Sequence, residues 1–435
     1  MVDRTSPVII VGGGAWGLSI ALHLNAAGHS NITVYERGES IPSRYSAAWD
    51  LNKIVRAEYE DPFYTDLALE AIEEWKKPLW GPYFHQTGYV VAATGRAPQK
   101  AVDHLEHALS SVSSHPAFAS DIRRLSGAKD FKKYTWQYSG PLTGFKGYYN
   151  RLAGYAHSAD TLKGIWEHLA RRGVKFVLGE EAGKVVELLY DDRSQCCGIK
   201  TGDGRTHTAG LTICAAGAWG ASLVPDMAKF VVAKCWSVAH VQLSKAEVNH
   251  LRGIPTTNVR DLGFFFEPDP ETGLFKLCPL GAGYTNPDKA GTSLPPADQL
   301  PPPQDFIPWE DEKKLRQLLR ETFPWMADRP FVDQKLCWFA DTSDSEYCID
   351  FVPGTSKSLI VVTGDSGHGF KMMPTFGKFI LNLLNEGEQK RQQWRWKTED
   401  ERTKDWGAAV SWRVGQPREL NDLIKDHAKL IQARL

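Results

Sequence analysis

The chain has 435 residues, of which 42% are hydrophobic and 24% charged, and its formal net charge at pH 7 is −1. This length suits two domains rather than one, and the near-neutral charge without a basic block disfavours nucleic acids and anionic membranes as partners. No apolar run reaches the roughly 18 residues that a membrane-spanning helix needs.

The first predicted element is a buried strand, residues 8–11, that runs into a glycine-rich turn and a helix. Gly12, Gly14 and Gly17 fit the pattern G-x-G-x-x-G, in which they allow a tight turn, a close approach to a pyrophosphate and tight helix packing. The next predicted strand ends in Glu36, where the carboxylate that binds ribose hydroxyls is expected. The segment predicts dinucleotide binding without separating FAD from NAD. The alternative is an ordinary strand-helix-strand unit with Glu36 on the surface.

The following segments alternate between helical and extended patterns. In chain order they are a polar stretch 43–56, a helix 62–75, a strand 88–93, surface helices within 98–135, a helix 159–172, strands 174–177 and 184–188, and a hairpin around 201–204.

A further apolar strand, residues 211–216, ends in small side chains. Ala216 and Gly217 add almost no bulk, so this strand can pass close beneath a cofactor. The alternative is one more core strand. Residues 231–285 are rich in strand patterns and predict an antiparallel sheet that forms a substrate chamber, followed by an extended loop at 291–309 and a helix at 310–322.

A second strand and glycine turn, residues 359–371, precedes a helix that extends to about residue 384. This turn is too distant in sequence to belong to the first nucleotide-binding unit. A second helix N-terminus aimed at the site can stabilise an anionic reduced flavin through its dipole. An NAD enzyme has no comparable need, so the pattern favours FAD.

Five segments together resemble the fungal fructosyl amino acid oxidases (amadoriases), within the sarcosine oxidase-like group of FAD-dependent amine oxidoreductases. The resemblance covers essentially the whole chain. The segments are Gly12-Gly13-Gly14-Ala15-Trp16-Gly17, Asp50-Leu51-Asn52-Lys53, Gly263-Phe264-Phe265-Phe266-Glu267-Pro268, Cys337-Trp338-Phe339-Ala340-Asp341-Thr342 and Gly364-Asp365-Ser366-Gly367-His368-Gly369-Phe370-Lys371.

The resemblance implies an α/β fold, in which a discontinuous Rossmann-type FAD-binding domain is interleaved with an α+β substrate domain built on an antiparallel sheet. The expected boundaries are 1–90, 150–220 and 331–390 for the FAD-binding domain, 91–149 and 221–330 for the substrate domain, and 391–435 for a C-terminal tail.

The resemblance also implies that FAD is joined covalently to Cys337, because a thiolate can attack the flavin 8-methyl carbon. Many relatives read Cys-Trp-Cys here, whereas this chain has Phe339, and we align the bond to the first cysteine. The alternative is a buried apolar cysteine. The predicted cofactor-binding residues are Gly12, Gly14, Ala15, Trp16, Gly17, Glu36, Asp50, Asn52, Lys53, Ala216, Gly217, Cys337, Asp365, Ser366, Gly367, Gly369, Phe370 and Lys371.

The catalytic residues that the resemblance implies are four. Lys276 matches the lysine that activates oxygen, and Lys371 matches the cation that binds a substrate carboxylate. His368 matches a residue near the flavin edge and the substrate amine, and Glu267 matches the acid that holds the polar part of amadoriase substrates. The alternatives are a solvent-exposed strand lysine at 276 and a satisfied core histidine at 368.

Arg56 departs from several amadoriases, which carry a small or apolar residue there, whereas simple sarcosine oxidases carry an arginine that pairs with the substrate carboxylate. An arginine can grip a carboxylate in a bidentate manner. Arg56 and Lys371 can therefore clamp an amino-acid carboxylate, which makes saccharopine, pipecolate or an N-methyl amino acid alternative substrates. Otherwise Arg56 pairs with Glu58 or Glu60.

We therefore predict an FAD-dependent oxidase of a secondary amine on an amino acid, with oxygen as acceptor and hydrogen peroxide as product. An NAD-dependent dehydrogenase and a non-catalytic nucleotide-binding regulator are the alternatives from other classes. Seven cysteines without zinc or disulfide spacing predict a reducing compartment and no metal site.

The final tripeptide, Ala433-Arg434-Leu435, resembles the peroxisomal S-K-L address. It predicts peroxisomal localisation, with an import receptor as a partner, and otherwise a cytoplasmic protein. We expect a monomer.

Overall fold

Two large β-sheets, each assembled from distant parts of the chain, frame the protein. The computed structural model describes residues 3–296, 306–401, 404, 406 and 410–426. The C-terminal tripeptide 433–435 and part of the predicted loop at 291–309 lie outside the described residues.

The strands of the described chain are β1 (Val8–Val11), β2 (Ile32–Glu36), β3 (Asn52–Val55), β4 (Phe84–His85), β5 (Tyr89–Ala93), β6 (Ile122–Ser126), β7 (Lys146–Asn150), β8 (Gly154–His157), β9 (Lys175–Leu178), β10 (Val185–Tyr190), β11 (Cys196–Thr201), β12 (Thr206–Thr208), β13 (Leu211–Cys214), β14 (Val231–Gln242), β15 (Thr256–Val259), β16 (Gly263–Phe265), β17 (Leu274–Pro279), β18 (Tyr284–Thr285), β19 (Val332–Thr342), β20 (Cys348–Phe351), β21 (Leu359–Thr363) and β22 (Arg418–Glu419).

The α-helices of the same residues are α1 (Ala15–Ala26), α2 (Pro62–Trp75), α3 (Gln99–Ser113), α4 (Ala128–Phe131), α5 (Ser158–Arg171), α6 (Gly220–Leu223), α7 (Lys245–His250), α8 (Trp309–Thr322) and α9 (Met373–Glu386). Within the described residues, no helix combines the length and the apolar character that a membrane span requires.

The first sheet, here called the Rossmann sheet, has the strand order β20-β21-β13-β1-β2-β9. All neighbours run parallel except β20, which is antiparallel to β21. Helices α1 and α9 pack against each other on this sheet, with the rings of Trp16 and Phe376 stacked 4.1 Å apart. Because the carboxyl ends of parallel strands share one edge, the turns that follow β1, β13 and β21 meet there, which is where such sheets bind ligands.

The second sheet, here called the large sheet, has the order β22-β18-β14-β17-β16-β15-β5-β7-β6, with β19 also paired to β14. The predicted antiparallel arrangement holds for most pairs, but β15 runs parallel to β5 and β18 runs parallel to β22. Parallel neighbours require a long crossover. Between β5 and β15 the chain passes through two strands of the Rossmann sheet, β9 and β13, so the two sheets are interleaved.

Two smaller sheets complete the described part of the fold. Strands β10, β11 and β12 form an antiparallel meander whose second turn is the hairpin predicted around residues 201–204. Strands β3, β8 and β4 form the other, and β3 supplies Lys53 to the site described below.

One predicted region differs from the structure. Residues 98–135 were expected to be surface helices, and α3 and α4 lie there, but β6 lies between them and pairs with β7 at the edge of the large sheet. The strand has exposed arginines at 123 and 124, and such charged edge strands lack a clear strand pattern.

The domain boundaries remain a prediction. The sheets bear on one of them, because β19 belongs to the large sheet although residues 331–390 were assigned to the FAD-binding domain. A division by sheets would therefore start the last FAD-binding segment after Thr342.

Candidate active site

A cavity of about 660 Å³ is lined by residues from both sheets. The turn after β1, Glu36 and Ala216 contribute from the Rossmann sheet, and Lys276 and Cys337 contribute from the large sheet. The predicted nucleotide-binding and catalytic segments therefore meet around one cavity.

The first glycine turn is built so that side chains cannot be added. Gly12 has a φ of +109°, and a Cβ atom there would overlap the carbonyl oxygen of Ala215. A Cβ atom on Gly17 would overlap the carbonyl oxygen of Gly12. Helix α1 begins at Ala15, directly after the turn, and Gly14 and Trp16 also line the cavity. A helix N-terminus in this setting is an anion-binding site.

Glu36 is a buried residue that faces the cavity, so the alternative of a surface glutamate is wrong. Its two carboxylate oxygens accept hydrogen bonds from the backbone N–H groups of Gly13 (2.9 Å) and Gly38 (2.8 Å). Each oxygen retains a free lone pair. The carboxylate is thereby held in place and can still accept hydrogen bonds from ribose hydroxyls.

Lys276 is a buried cation in the wall of the cavity, which contradicts the alternative of an exposed strand lysine. Its ammonium group donates to a carboxylate oxygen of Asp50 and to the carbonyl oxygen of Asn52, the latter at 2.6 Å. Burial lowers the pKa of Lys276, and the Asp50 carboxylate opposes this shift. Asp50 therefore stabilises the positive charge of Lys276, which would be unfavourable in the protein interior without a partner.

Asp50 and Asn52 do not line the cavity, so their predicted role as cofactor-binding residues requires correction. Asp50 lies behind two lysines: Lys53 Nζ is 2.9 Å from its Oδ2, and Lys276 Nζ contacts the same oxygen. Lysine cations outweigh the effect of burial and hold the pKa of Asp50 far below its usual range. Both residues therefore position the lysines that reach the cavity.

Cys337 lies on β19 with its thiol partly exposed in the cavity wall. Its Sγ atom is 3.4 Å from the Ala47 carbonyl oxygen and 3.8 Å from Lys53 Nζ. A neighbouring cation stabilises a thiolate, which is the nucleophilic form of cysteine. Cys278 also lines the cavity, but burial raises its pKa to about 12 and keeps it a thiol.

The second glycine turn contacts the first. The Trp16 indole N–H donates to the carbonyl oxygen of Gly369 at 3.4 Å, and a Cβ atom on Gly369 would overlap the Trp16 ring. A Cβ atom on Gly367 would overlap the ring of Trp236 from the large sheet. Glycine is therefore required where this turn passes between the two sheets.

Asp365 and Ser366 hold this turn against β19. The Asp365 carboxylate accepts hydrogen bonds from the N–H groups of Gly367 (3.0 Å) and Ala340 (3.2 Å). Burial raises the pKa of Asp365 to about 6. Ser366 adopts a φ of +46°, and its hydroxyl accepts from the N–H of Thr342 at 3.2 Å. The helix that follows begins at Met373, behind a single 3₁₀ turn at Phe370–Met372.

His368 lines the cavity but has its ring nitrogens occupied. Burial lowers its pKa to about 3, so the ring is neutral. One nitrogen lies 2.8 Å from the Ser345 carbonyl oxygen, and the other lies 3.0 Å from the Tyr347 hydroxyl and 3.2 Å from the Tyr59 hydroxyl. The nitrogen at Ser345 donates, and the other accepts. The hydrogen bonds of His368 therefore match the alternative of a core histidine whose two ring nitrogens both have partners.

Lys371 and Arg56 both face the cavity, as predicted. Lys371 Nζ donates to the Tyr59 hydroxyl (2.8 Å) and to the His368 carbonyl oxygen (2.7 Å). Burial, reinforced by the charge of Arg56, lowers the pKa of Lys371 well below its ordinary value.

Arg56 donates to the backbone carbonyl oxygen of Glu58 and lies over the ring of Tyr59. The Glu58 carboxylate accepts instead from Asn150 and from the N–H of Ala57. Glu60 is held by His104 at 2.7 Å. Within the described residues, Arg56 forms no ion pair with either carboxylate, so the alternative of a paired Arg56 is wrong.

Glu267 lies outside the cavity, contrary to the prediction that it faces the substrate. It accepts hydrogen bonds from the N–H of Gly253 (2.6 Å) and the Tyr155 hydroxyl (3.0 Å). Phe264 and Phe266 line the cavity, whereas Glu267 lies two residues beyond the end of β16 and its carboxylate is held by Gly253 and Tyr155.

The sequence analysis missed Tyr59, Arg260 and the segment 410–412, all of which line the cavity. The segment had been assigned to a C-terminal tail. Arg260 Nη2 donates to the Trp412 carbonyl oxygen at 3.1 Å. The available signal for Arg260 was an arginine three residues before the aromatic strand pattern at 263–266, whereas nothing local marks residues 410–412 as part of a site.

The residues around the cavity fit FAD. The two glycine turns leave room for a backbone approach, and the Glu36 carboxylate faces the same space. The Trp236 indole N–H and the Thr363 hydroxyl line the cavity, buried and without a hydrogen-bond partner. Buried polar groups need partners, and a bound polar molecule would supply them.

Comparison with known proteins defines the class. The chain matches the family described as DAO, FAD dependent oxidoreductase, over residues 7–383, and it belongs to that family. The family assignment confirms the predicted FAD cofactor, fold class and oxidoreductase activity.

Individual relatives within and around this family are oxidases of amino acids and of fructosyl amines. The chain is 32% identical to the L-saccharopine oxidase of Schizosaccharomyces pombe, over 93% of this chain and 95% of that protein. It is similar to the fructosamine oxidase Amadoriase II of Aspergillus fumigatus, with a TM-score of 0.86, 32% identity and 97% of each chain covered. The fructosyl peptide oxidase from E. terrenum gives a TM-score of 0.87 at 28% identity, with 97% of this chain and 98% of that chain covered.

Proposed function

We propose that this protein is an FAD-dependent oxidase of secondary amines carried by amino acids. The observation that carries the proposal is the presence of Arg56 and Lys371 in the same cavity as the nucleotide turns and Lys276. FAD held by the two glycine turns and Glu36 would supply the acceptor for a hydride from the carbon next to the amine, and oxygen would take up the electrons as hydrogen peroxide.

Arg56 and Lys371 form the proposed carboxylate clamp. A bound carboxylate would favour the charged form of Lys371, which has three N–H donors. Two of them are used on the Tyr59 hydroxyl and the His368 carbonyl oxygen, and the third remains for a substrate oxygen. Arg56 donates from one nitrogen to the Glu58 carbonyl oxygen. Its other guanidinium N–H groups remain for the substrate carboxylate. The bound anion would also offset the repulsion between the two cations.

These cations also act on the substrate amine. A positive charge near an ammonium group favours its neutral form. Hydride loss from the adjacent carbon requires the neutral amine, because only its lone pair can stabilise the resulting imine. Neutral His368 adds no further charge near this end of the cavity.

Lys276 is the proposed oxygen-activating residue. Its ammonium group is fixed by Asp50 and by the Asn52 carbonyl oxygen, yet it lines the cavity. A fixed cation of this kind stabilises negative charge that develops on oxygen without any reorganisation at the moment of electron transfer.

Cys337 is the proposed site of covalent attachment to FAD through a thioether. The partly exposed thiol and the Lys53 ammonium group 3.8 Å from its sulfur support this assignment. Lys53 would stabilise the thiolate that forms the carbon–sulfur bond in place of a C–H bond of the flavin 8-methyl group. The proton would leave to solvent, and the two electrons released would pass to the flavin and from it to oxygen.

The position of Glu267 bears on the substrate. Its carboxylate is bonded to Gly253 and Tyr155 outside the cavity, so the acid expected to hold the polar part of a fructosyl substrate is absent from the lining. This favours an N-alkyl amino acid over a fructosyl amino acid, and the relative that acts as an L-saccharopine oxidase is in keeping with it.

The test is a peroxide assay with fructosyl-valine, fructosyl-lysine, saccharopine, pipecolate and sarcosine, combined with anaerobic mixing. We expect at least one N-alkyl amino acid to bleach the yellow flavin without oxygen and to release peroxide with oxygen. Turnover of fructosyl compounds alone would reject the substrate preference. If no amine bleaches the flavin, the protein is not an amine oxidase.

Peroxisomal localisation through Ala433-Arg434-Leu435 also remains a proposal, as do an import receptor as partner and a monomeric state. The tripeptide resembles a peroxisomal address, and a reaction that produces peroxide suits the peroxisome.

A further inference from the structure

Arg260 is a buried guanidinium that lines the cavity and has no carboxylate within ion-pairing distance among the described residues. It follows β15, where its own N–H donates to the Ala92 carbonyl oxygen at 2.7 Å. Its side chain makes one hydrogen bond, from Nη2 to the Trp412 carbonyl oxygen, and its Nε is buried without a partner. An arginine that is only 7% exposed would ordinarily be paired, because an unpaired buried charge is costly.

The groups around Arg260 do not neutralise it. Burial lowers the pKa of Arg260, and the neighbouring charge of Arg56 lowers it further. The uncharged phenols of Tyr89 and Tyr148 are close, and Glu60 is the carboxylate that acts on Arg260. Glu60 is already engaged by His104 at 2.7 Å. Glu58 and Glu60 also line the cavity, but among the described residues neither forms an ion pair with Arg56 or Arg260. Both guanidinium groups can therefore still bind an added anion directly in this region of the cavity.

Asn258 extends this region along the same strand. It lies on β15, two residues before Arg260, and both side chains line the cavity. Asn258 also lines the cavity and is buried, and its side-chain oxygen has no hydrogen-bond partner. A guanidinium donor and an amide acceptor thus face one part of the cavity with unused hydrogen-bonding capacity.

We propose that Arg260 forms a second carboxylate subsite, so that the substrate is a secondary amine joining an amino acid to a substituent that itself ends in a carboxylate. This inference rests on the proposed amine oxidation and assigns the first carboxylate to Arg56 and Lys371. A neutral sugar substituent would leave the Arg260 charge uncompensated. A dicarboxylic amine provides one carboxylate for Arg56 and Lys371 and a second carboxylate for Arg260.

The test compares N-alkyl amino acids with N-(carboxyalkyl) amino acids of the same chain length. The native enzyme should prefer the dicarboxylic member of each pair. Arg260→Met should lower kcat/KM for dicarboxylic amines by about 30-fold or more, because it removes a charged partner from a closed site. Monocarboxylic amines should lose much less activity than dicarboxylic amines, because they place no carboxylate at Arg260. Arg252→Met, at an exposed arginine in the turn between α7 and β15, is the control.

A second measurement is independent of turnover. Calorimetry with a thioether dicarboxylate, in which sulfur replaces the amine, should show the same loss of affinity in Arg260→Met. If that variant does not fold, Arg260→Lys serves instead, because a lysine keeps the charge but loses bidentate binding. It should lower the affinity for the dicarboxylate while leaving monocarboxylate binding intact.

Two results would overturn the subsite. One is an equal loss for both classes of amine, which would mean that Arg260 acts only by positioning Trp412. The other is a native enzyme with no preference for dicarboxylic amines. If the native enzyme oxidises neither class, the proposed function fails, whereas Arg260-dependent binding of the thioether would still support the subsite.

Discussion

Lys276 keeps its charge in the protein interior because Asp50 and the Asn52 carbonyl oxygen surround its ammonium group. Asp50 also contacts Lys53 and lies 3.9 Å from Lys335 Nζ. One buried carboxylate therefore serves three cations, two of which line the cavity. Asp50 stabilises the positive charges without lining the cavity, whereas Lys53 and Lys276 carry those charges in the cavity wall.

Lys276→Met should slow the reoxidation of reduced flavin by about 100- to 1000-fold, the loss typical when one fixed charge-stabilising group is removed. Anaerobic reduction by substrate should change much less. Stopped-flow measurement of the two half-reactions separates these effects. Lys335→Met is the matched control, because Lys335 also lies near Asp50 but does not line the cavity. Equal damage to both half-reactions would make Lys276 a structural residue.

Cys337 gives a prediction that needs no kinetics. After acid precipitation, the yellow colour should stay in the pellet of the native protein and move to the supernatant of Cys337→Ser. Cys197→Ser, at another partly exposed cysteine, should behave like the native protein. Release of colour from the native protein would refute covalent attachment through this thiol.

At the scale of elements, the C-terminal segment is fixed to the large sheet by a buried ion cluster. Asp341 on β19 contacts Lys234 on β14 at 2.8 Å and also contacts Arg413, and all three side chains are about 2% exposed. Arg413 further donates to the carbonyl oxygens of Ser343 (3.1 Å) and Thr342 (2.7 Å). These bonds hold the neighbouring residues 410–412 against the cavity.

Asp341→Asn should lower the free energy of unfolding by about 3–5 kcal/mol, because it leaves two buried cations without a carboxylate. Urea unfolding followed by circular dichroism measures the change. Asp226→Asn is the control: Asp226 pairs with Lys229 at 2.7 Å on the surface, and such exposed pairs contribute at most about 1 kcal/mol. A similar small effect for Asp341→Asn would mean that the cluster does not stabilise this region.

At the scale of the whole molecule, the parts that the sequence predicted well are those with a local signal. The two glycine turns, Glu36 and helix α2 follow directly from residue spacing. Glu267 was misplaced because its motif does not reveal which side of the strand each residue occupies. Arg260 was missed because it follows β15, whose partner β5 is remote in sequence. Trp412 was missed because its position depends on the ion pair between Arg413 and the distant Asp341.

The same remoteness explains the uncertain domain boundaries. Strand β5 pairs with β15 across a long crossover, and β19 pairs with β14 rather than with the Rossmann sheet that follows it. Hydrophobic periodicity marks each strand but not its partner. Tertiary packing decides which sheet a strand joins, and the local sequence pattern does not show that packing.

The cavity walls run from Gly12, near the start of the chain, to Trp412, near its end. Domains of a growing chain begin to fold as they leave the ribosome, but the wall formed by residues 410–412 can close only after these residues have emerged. A chain truncated before Val410 would therefore leave this side of the cavity, next to Arg260, open to solvent.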